Sequence, residues 1–174
     1  MLLRLLLLGV LLVPATAGAQ TTAAGQLGRI DHVADGDTVD LTNGAKIRLV
    51  QIDTPEVYFS PECYGRQASD LTKQLLPPGT RMRLTREPAT DAVDRYGRLL
   101  RYVIRVKDGL NVNVQLVRLG AAAPYFYDGR RGRYAHLLER LTHRARARHL
   151  GLWRACPGTP YDPDHGVATG PLRP

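Results

Sequence analysis

The stretch Asp35-Gly-Asp-Thr-Val-Asp-Leu-Thr-Asn-Gly-Ala-Lys-Ile-Arg-Leu-Val-Gln-Ile-Asp-Thr-Pro-Glu56 organises the rest of the chain. Two short apolar runs, 38–41 and 46–52, flank Asn43-Gly44, a pair that accepts positive φ and closes a tight hairpin. The hairpin returns the chain beside its own start and brings Asp53 near Asp37. Carboxylates that approach each other repel, so in a cleft one stays protonated unless a cation sits between them. Ca²⁺ suits such a place, because it accepts irregular cages of carboxylate and carbonyl oxygens. Arg48 lies on the same hairpin, and Glu56 follows a Thr-Pro corner that fixes its direction. Paired carboxylates, an arginine and a spare glutamate are what metal-assisted hydrolysis of a phosphodiester requires. The same residues also fit a plain turn with a capping aspartate.

Four blocks go further. Asp35-Gly-Asp37-Thr-Val, Ile47-Arg48-Leu49, Ile52-Asp53-Thr54-Pro55-Glu56 and Asp94-Arg95-Tyr96-Gly97-Arg98 together closely resemble the staphylococcal nuclease (thermonuclease) family, in the family's order. The likeness runs from about residue 29 to residue 153. It implies Asp37, Asp53 and the backbone carbonyl of Thr54 as Ca²⁺ ligands, with Asp35 behind them. It implies Arg48 and Arg98 as the two phosphate-gripping arginines and Glu56 as the group that takes a proton from water or orients it. Tyr96 matches a tyrosine that contacts phosphate, and Tyr125 one that lies against the base. Arg95 stands where the family's type member has a lysine, which keeps the charge and changes its geometry. The loop 57–63 is shorter than in the type member and lacks its lysines.

Around this centre the chain reads as one domain. Residues 1–19 have the pattern of a signal peptide: Arg4, the apolar run 5–13, and Ala17-Gly-Ala19 as a cleavage site after Ala19 or Ala17. The run is too short to span a bilayer, and no cysteine adjoins the cleavage site, which argues against a lipid anchor. The expected product is exported, periplasmic or extracellular, monomeric and free of the membrane. Its formal charge, +8 with Arg4 included, calls for an acidic partner, and phosphate backbone is the obvious one. Basic charge by itself also serves solubility. Cys63 and Cys156 are an even pair in a chain bound for an oxidising compartment, which favours a disulfide over two separate buried thiols. It would close a loop of about 94 residues and contribute up to about 4–5 kcal/mol in the chain-entropy account.

The remaining segments read as follows. Residues 26–33 form a first strand, 81–85 a half-buried one, and 99–106 another. Helices are expected over 64–76 (apolar at Ala68, Leu71, Leu75), 112–119 and 133–150 (apolar at Tyr134, Leu138, Leu141, Ala145). Residues 87–94 read as a polar loop, and 157–174, rich in Pro and Gly, as a disordered tail after a domain of 20–156. Short strands among short helices point to a small closed barrel. The resemblance makes it an α+β OB-fold, a five-stranded β-barrel with three helices. It further implies hydrolysis of DNA and RNA with low sequence preference, leaving 3′-phosphate ends. Two other classes compete: a binding OB module without chemistry, and a Ca²⁺-stabilised adhesion domain. The first would have lost the arginines, the glutamate or the aspartates, and the second would not need Glu56 or Arg98. All of these are present.

Overall fold

A computed structural model describes residues 25–170. The signal peptide expected over 1–19 lies outside the described residues. Strand β1 (Gln26–Val33), buried at Ile30 and Val33, pairs antiparallel with β2 (Thr38–Leu41). The Asn43-Gly44 turn forms as expected, with Gly44 at φ 83° and its N–H on the Leu41 carbonyl at 2.8 Å. It returns the chain as β3 (Lys46–Leu49), where Thr38 faces Arg48. β5 (Arg81–Thr85) and β6 (Leu99–Arg105) complete a closed barrel in the order β1-β2-β3-β6-β5, with only β3 and β6 parallel. Ile30, Val39, Ile47, Leu49, Met82 and Val103 fill it from alternate positions.

The run 46–52 is not one strand. It breaks after Leu49, and Gln51 takes φ 66°. Beyond the break, β4 (Ile52–Asp53) leaves the barrel and pairs with β7 (Ala123–Pro124). Buried polar side chains stabilise this corner. Asn113 accepts from Val103 N–H at 3.0 Å and donates to the Val50 carbonyl at 2.9 Å. Gln51 donates to the Arg130 carbonyl at 2.6 Å and accepts from Gly132 N–H at 2.7 Å. An unpaired amide in this interior would cost about 1–3 kcal/mol, so the corner is held in one shape.

The three expected helices form as α1 (Gly65–Leu75), α2 (Val112–Arg118) and α3 (Ala135–Ala147), followed by a single turn, α4 (Leu152–Ala155). The stripe of α1 differs from the apolar reading. Ala68 is buried, but so are Ser69 and Thr72, while Leu71 and Leu75 are only partly covered. Thr72 is inside because its hydroxyl donates to the Gly36 carbonyl at 2.7 Å, tying the helix to the Asp-Gly-Asp turn. The polar loop 87–94 hides another exception. Glu87 is buried, accepting from the N–H groups of Ala89 and Arg133 at 3.1 and 2.9 Å.

The expectation of a disordered tail does not match the packing of its described part. Val167 and Trp153 share a small apolar cluster with Leu152 and Cys156. Pro163 accepts from Phe126 N–H at 2.6 Å, and Gly170 accepts from Cys63 N–H at 3.0 Å. Composition gave no periodicity because this stretch is held by backbone hydrogen bonds and one disulfide rather than by an amphipathic face. Cys63 and Cys156 are bonded, with Cα atoms 6.0 Å apart.

Candidate active site

The Asp-Gly-Asp turn places two carboxylates. Asp35 accepts from the N–H of Asp37 at 3.0 Å, which fixes the turn. Gly36 is needed there: a Cβ would lie 2.4 Å from the Thr54 hydroxyl. Thr54 in turn donates to Asp37 Oδ2 through its N–H at 3.0 Å and its hydroxyl at 3.1 Å. The two ends of the quoted stretch are thereby locked together.

Arg48 occupies the space between Asp37 and Asp53. Its Nε is 3.0 Å from Asp37 Oδ1, and its Nη2 donates to Asp53 Oδ1 at 2.8 Å. Its Nη1 donates to the carbonyls of Leu49 and Ile52, both at 2.7 Å. Those carbonyls flank the break after β3, so the corner that re-aims Asp53 also seats the guanidinium. Arg98 stands on the other side. Its Nε donates to Asp94 at 2.7 Å, and its Nη1 donates to the Thr38 hydroxyl at 3.2 Å. That hydroxyl lies 3.3 Å from Asp37 Oδ1 and donates to it.

The charge balance around Arg48 is uneven. Burial pushes Asp53 up to about 7, with the Asp37 and Glu56 charges adding to the shift and Arg48 opposing it. Burial also raises Asp35, helped by Asp37. Glu56 is raised by partial burial first and by Asp37 and Asp35 next, although solvent reaches it. Burial opposes the charge on Arg48, yet Asp37, Asp53, Asp35 and Glu56 together hold its pKa above the ordinary value. Two carboxylates contact the half-buried Arg48 guanidinium and two more feel its charge, and a further cation would relieve them. Among the described residues no three His, Cys, Asp or Glu side chains meet as a ready metal cage. The donors at hand are the Asp37 and Asp53 oxygens, which suit a hard cation completed by backbone carbonyl and water.

A cleft of about 350 Å³ opens from this network. Arg48, Arg95, Tyr96, Arg98 and Tyr125 line it, so five expected site residues share one cavity. Asp37, Asp53, Thr54 and Glu56 are not in its wall; Asp37 and Asp53 reach it through Arg48, and Thr54 stands behind them on Asp37. Arg95 donates to the Tyr96 hydroxyl at 2.6 Å, and the Arg95 and Arg98 guanidinium groups sit 4.8 and 5.3 Å from the Tyr96 ring centre. Tyr125 meets Tyr127 edge to face at 6.2 Å.

Sequence reasoning missed several contributors. Thr38 bridges Arg98 to Asp37, Gln51 and Asn113 hold the corner, and Asp91 pairs with Arg130 at 3.1 Å on the far cleft wall. A glutamine inside an apolar run was the available signal for Gln51. Thr38 carried none, since threonine is ordinary in a strand.

Comparison with known proteins identifies the family. The sequence profile described as Staphylococcal nuclease homologue matches residues 46–155. Endonuclease YhcR of Bacillus subtilis (strain 168) is 40% identical over 121 residues, covering 62% of this chain and only 10% of that protein. A protein of Escherichia coli named uncharacterized endonuclease is 38% identical over 129 residues, covering 72% of this chain and 76% of its own. Thermonuclease of Staphylococcus intermedius is 30% identical over 141 residues, covering 78% and 80%. With the profile matched over residues 46–155 and a thermonuclease 30% identical across 78% of the chain, the chain belongs to the staphylococcal nuclease family.

Proposed function

We propose that this nuclease is an exported, Ca²⁺-dependent endonuclease that hydrolyses phosphodiester bonds of DNA and RNA with little sequence preference and leaves 3′-phosphate ends. One observation carries the reading: a half-buried arginine is clamped between two aspartates at the edge of a cleft whose other wall holds a second arginine. Asp37 and Asp53, with the Thr54 carbonyl, would hold the cation, and Asp35 would keep Asp37 in place. When bound, Ca²⁺ neutralises phosphate charge and makes a neighbouring water more acidic.

The chain's own residues do the rest. Glu56, open to solvent beside the paired aspartates, takes the proton of the attacking water. The water oxygen bonds to phosphorus as the P–O5′ bond breaks, and the departing O5′ takes a proton from solvent, leaving a 3′-phosphate and a 5′-hydroxyl. Arg48 keeps Nη1 on its two carbonyls. Once the carboxylates are neutralised, the Nε and Nη2 N–H groups, held in the same plane, become available to phosphate oxygens in place of Asp37 and Asp53. Arg98, aimed by Asp94, approaches from the opposite wall, and the two planar forks tighten as charge builds on the equatorial oxygens. Arg95 and Tyr96 extend the grip along the backbone, and Tyr125 offers a ring face to a base. Grip on phosphate conveys no sequence information, which supports low selectivity. The disulfide supports export, because such bonds persist in oxidising compartments.

Incubating the mature protein with plasmid DNA and with RNA tests the reading. Both should be degraded, and the fragments should accept 5′-phosphate from a polynucleotide kinase without prior dephosphorylation. Retention of nucleic acid without turnover would instead favour a binding module, and fragments with 5′-phosphate ends would reverse the assigned scissile bond.

A further inference from the structure

The segment 157–170 belongs to no element of the barrel, yet it reaches the centre of the site. Val167 N–H donates to Asp53 Oδ2 at 2.9 Å, across 114 positions of sequence. Asp53 Oδ1 is already taken by Arg48, so both oxygens of this carboxylate are oriented, one from the barrel and one from the C-terminal segment. Gly166, at φ 78°, allows the approach: a Cβ there would lie 2.7 Å from Asp53 Oδ2 and 3.5 Å from the Tyr125 ring.

Both ends of the segment are fastened to Cys63. Cys156 is bonded to it covalently, while Gly170 accepts from its N–H at 3.0 Å and the Thr169 hydroxyl donates to its carbonyl at 2.7 Å. Between these points, Asp164 pairs with Arg131 at 3.2 Å, and the Val167 side chain is buried in the apolar cluster with Trp153. The loop is therefore over-determined at the place where it meets Asp53.

We propose that the segment 157–170 is a positioning strap of the active site, in which the Val167 amide fixes the Asp53 carboxylate for binding of the cation. The proposal rests on the reading of Asp53 as a ligand. A backbone N–H suits the role because it orients an oxygen without bringing a positive charge that would repel the ion. Each carboxylate oxygen has two acceptor directions, so an occupied Oδ2 keeps one free. Partners behind a ligating carboxylate commonly matter about 10–100-fold in metal affinity.

The test is Ca²⁺ affinity by titration calorimetry, with steady-state cleavage of DNA alongside. Val167→Pro removes the N–H, and a chain ending at Asp164 removes the contact while keeping Tyr161 and Pro163. Val167→Ala keeps the N–H and loses only the buried side chain. Val167→Pro and the shortened chain should each weaken Ca²⁺ about 10–100-fold, with turnover largely restored at saturating Ca²⁺, and Val167→Ala should keep an affinity close to wild type. Wild-type affinity in both Val167→Pro and the shortened chain would overturn the strap. Tighter Ca²⁺ binding in them would overturn it too, by making the segment a competitor. A wild-type protein that binds no Ca²⁺ would overturn the ligand reading and the strap together, whereas intact wild-type binding with unaffected variants would remove the strap alone.

Discussion

The Thr38 hydroxyl accepts from Arg98 Nη1 at 3.2 Å and lies 3.3 Å from Asp37 Oδ1, so the second arginine is tied to the carboxylate pair through one side chain. Arg98→Ala should lower kcat about 10²–10³-fold, the usual effect of removing a donor aimed at developing charge. Thr38→Val keeps the shape and breaks the link; at about 1 kcal/mol for a single hydrogen bond it should cost roughly fivefold. Steady-state kinetics on a DNA oligonucleotide distinguishes the two. An Arg98→Ala enzyme with unchanged kcat would place Arg98 outside the chemistry.

Glu56→Gln keeps the side-chain shape and cannot take a proton. It should reduce kcat about 10²–10⁴-fold while thermal stability stays near wild type, because solvent reaches this residue and little packs on it. Burial and the Asp37 and Asp35 charges raise the Glu56 pKa. Near-full activity of Glu56→Gln would reassign the base and leave the paired aspartates untouched.

The raised carboxylates also predict an unusual stability profile in chelator. Asp53 has its folded pKa pushed up to about 7 by burial, and Asp35 and Glu56 move the same way. Between their unfolded values near 4 and about 7, the folded state binds more protons than the unfolded one. Stability therefore falls as pH rises through that window. Glu87 and Asp94 shift downward, so their contributions change only at lower pH. Thermal melts in chelator should show a higher Tm at about pH 5 than at about pH 7.5, and Asp53→Asn should flatten the slope. A Tm that rises across the same interval would contradict the charge balance described for Arg48.

Cys63 and Cys156 are joined between the loop after Glu56 and the end of α4. Intact mass after alkylation should show no modified thiol in unreduced exported protein and two after reduction. Reduction should also lower the Tm, with up to about 4–5 kcal/mol at stake for a loop of this length. Two thiols alkylated without reductant would refute the bond in the native protein.

Much of the barrel and of its site could be read from local signals. Asn43-Gly44 announced the hairpin, strand alternation marked the core of β5, and the four motif blocks located Asp37, Arg48, Asp53 and Arg98. What escaped depends on contacts between distant segments. Gln51 and Asn113 shape the corner only because the chain returns to them from residues 103 and 130–132. Thr72 is polar on the inner face of α1 because it meets Gly36. The packing of the C-terminal segment follows from Cys63, Phe126 and Asp53, none of which is near it in sequence. Periodicity reports an element's own faces and is blind to partners of this kind.

The central claim is that Asp37 and Asp53 hold a Ca²⁺ ion that the chemistry requires. It is tested most directly by following plasmid cleavage by one protein sample through chelation and Ca²⁺ add-back, with circular dichroism monitoring the fold. Cleavage should stop in chelator while the spectrum is retained, return with Ca²⁺, and return poorly with Mg²⁺, whose strict octahedron suits irregular oxygen donors less well. Undiminished cleavage in chelator would contradict the claim.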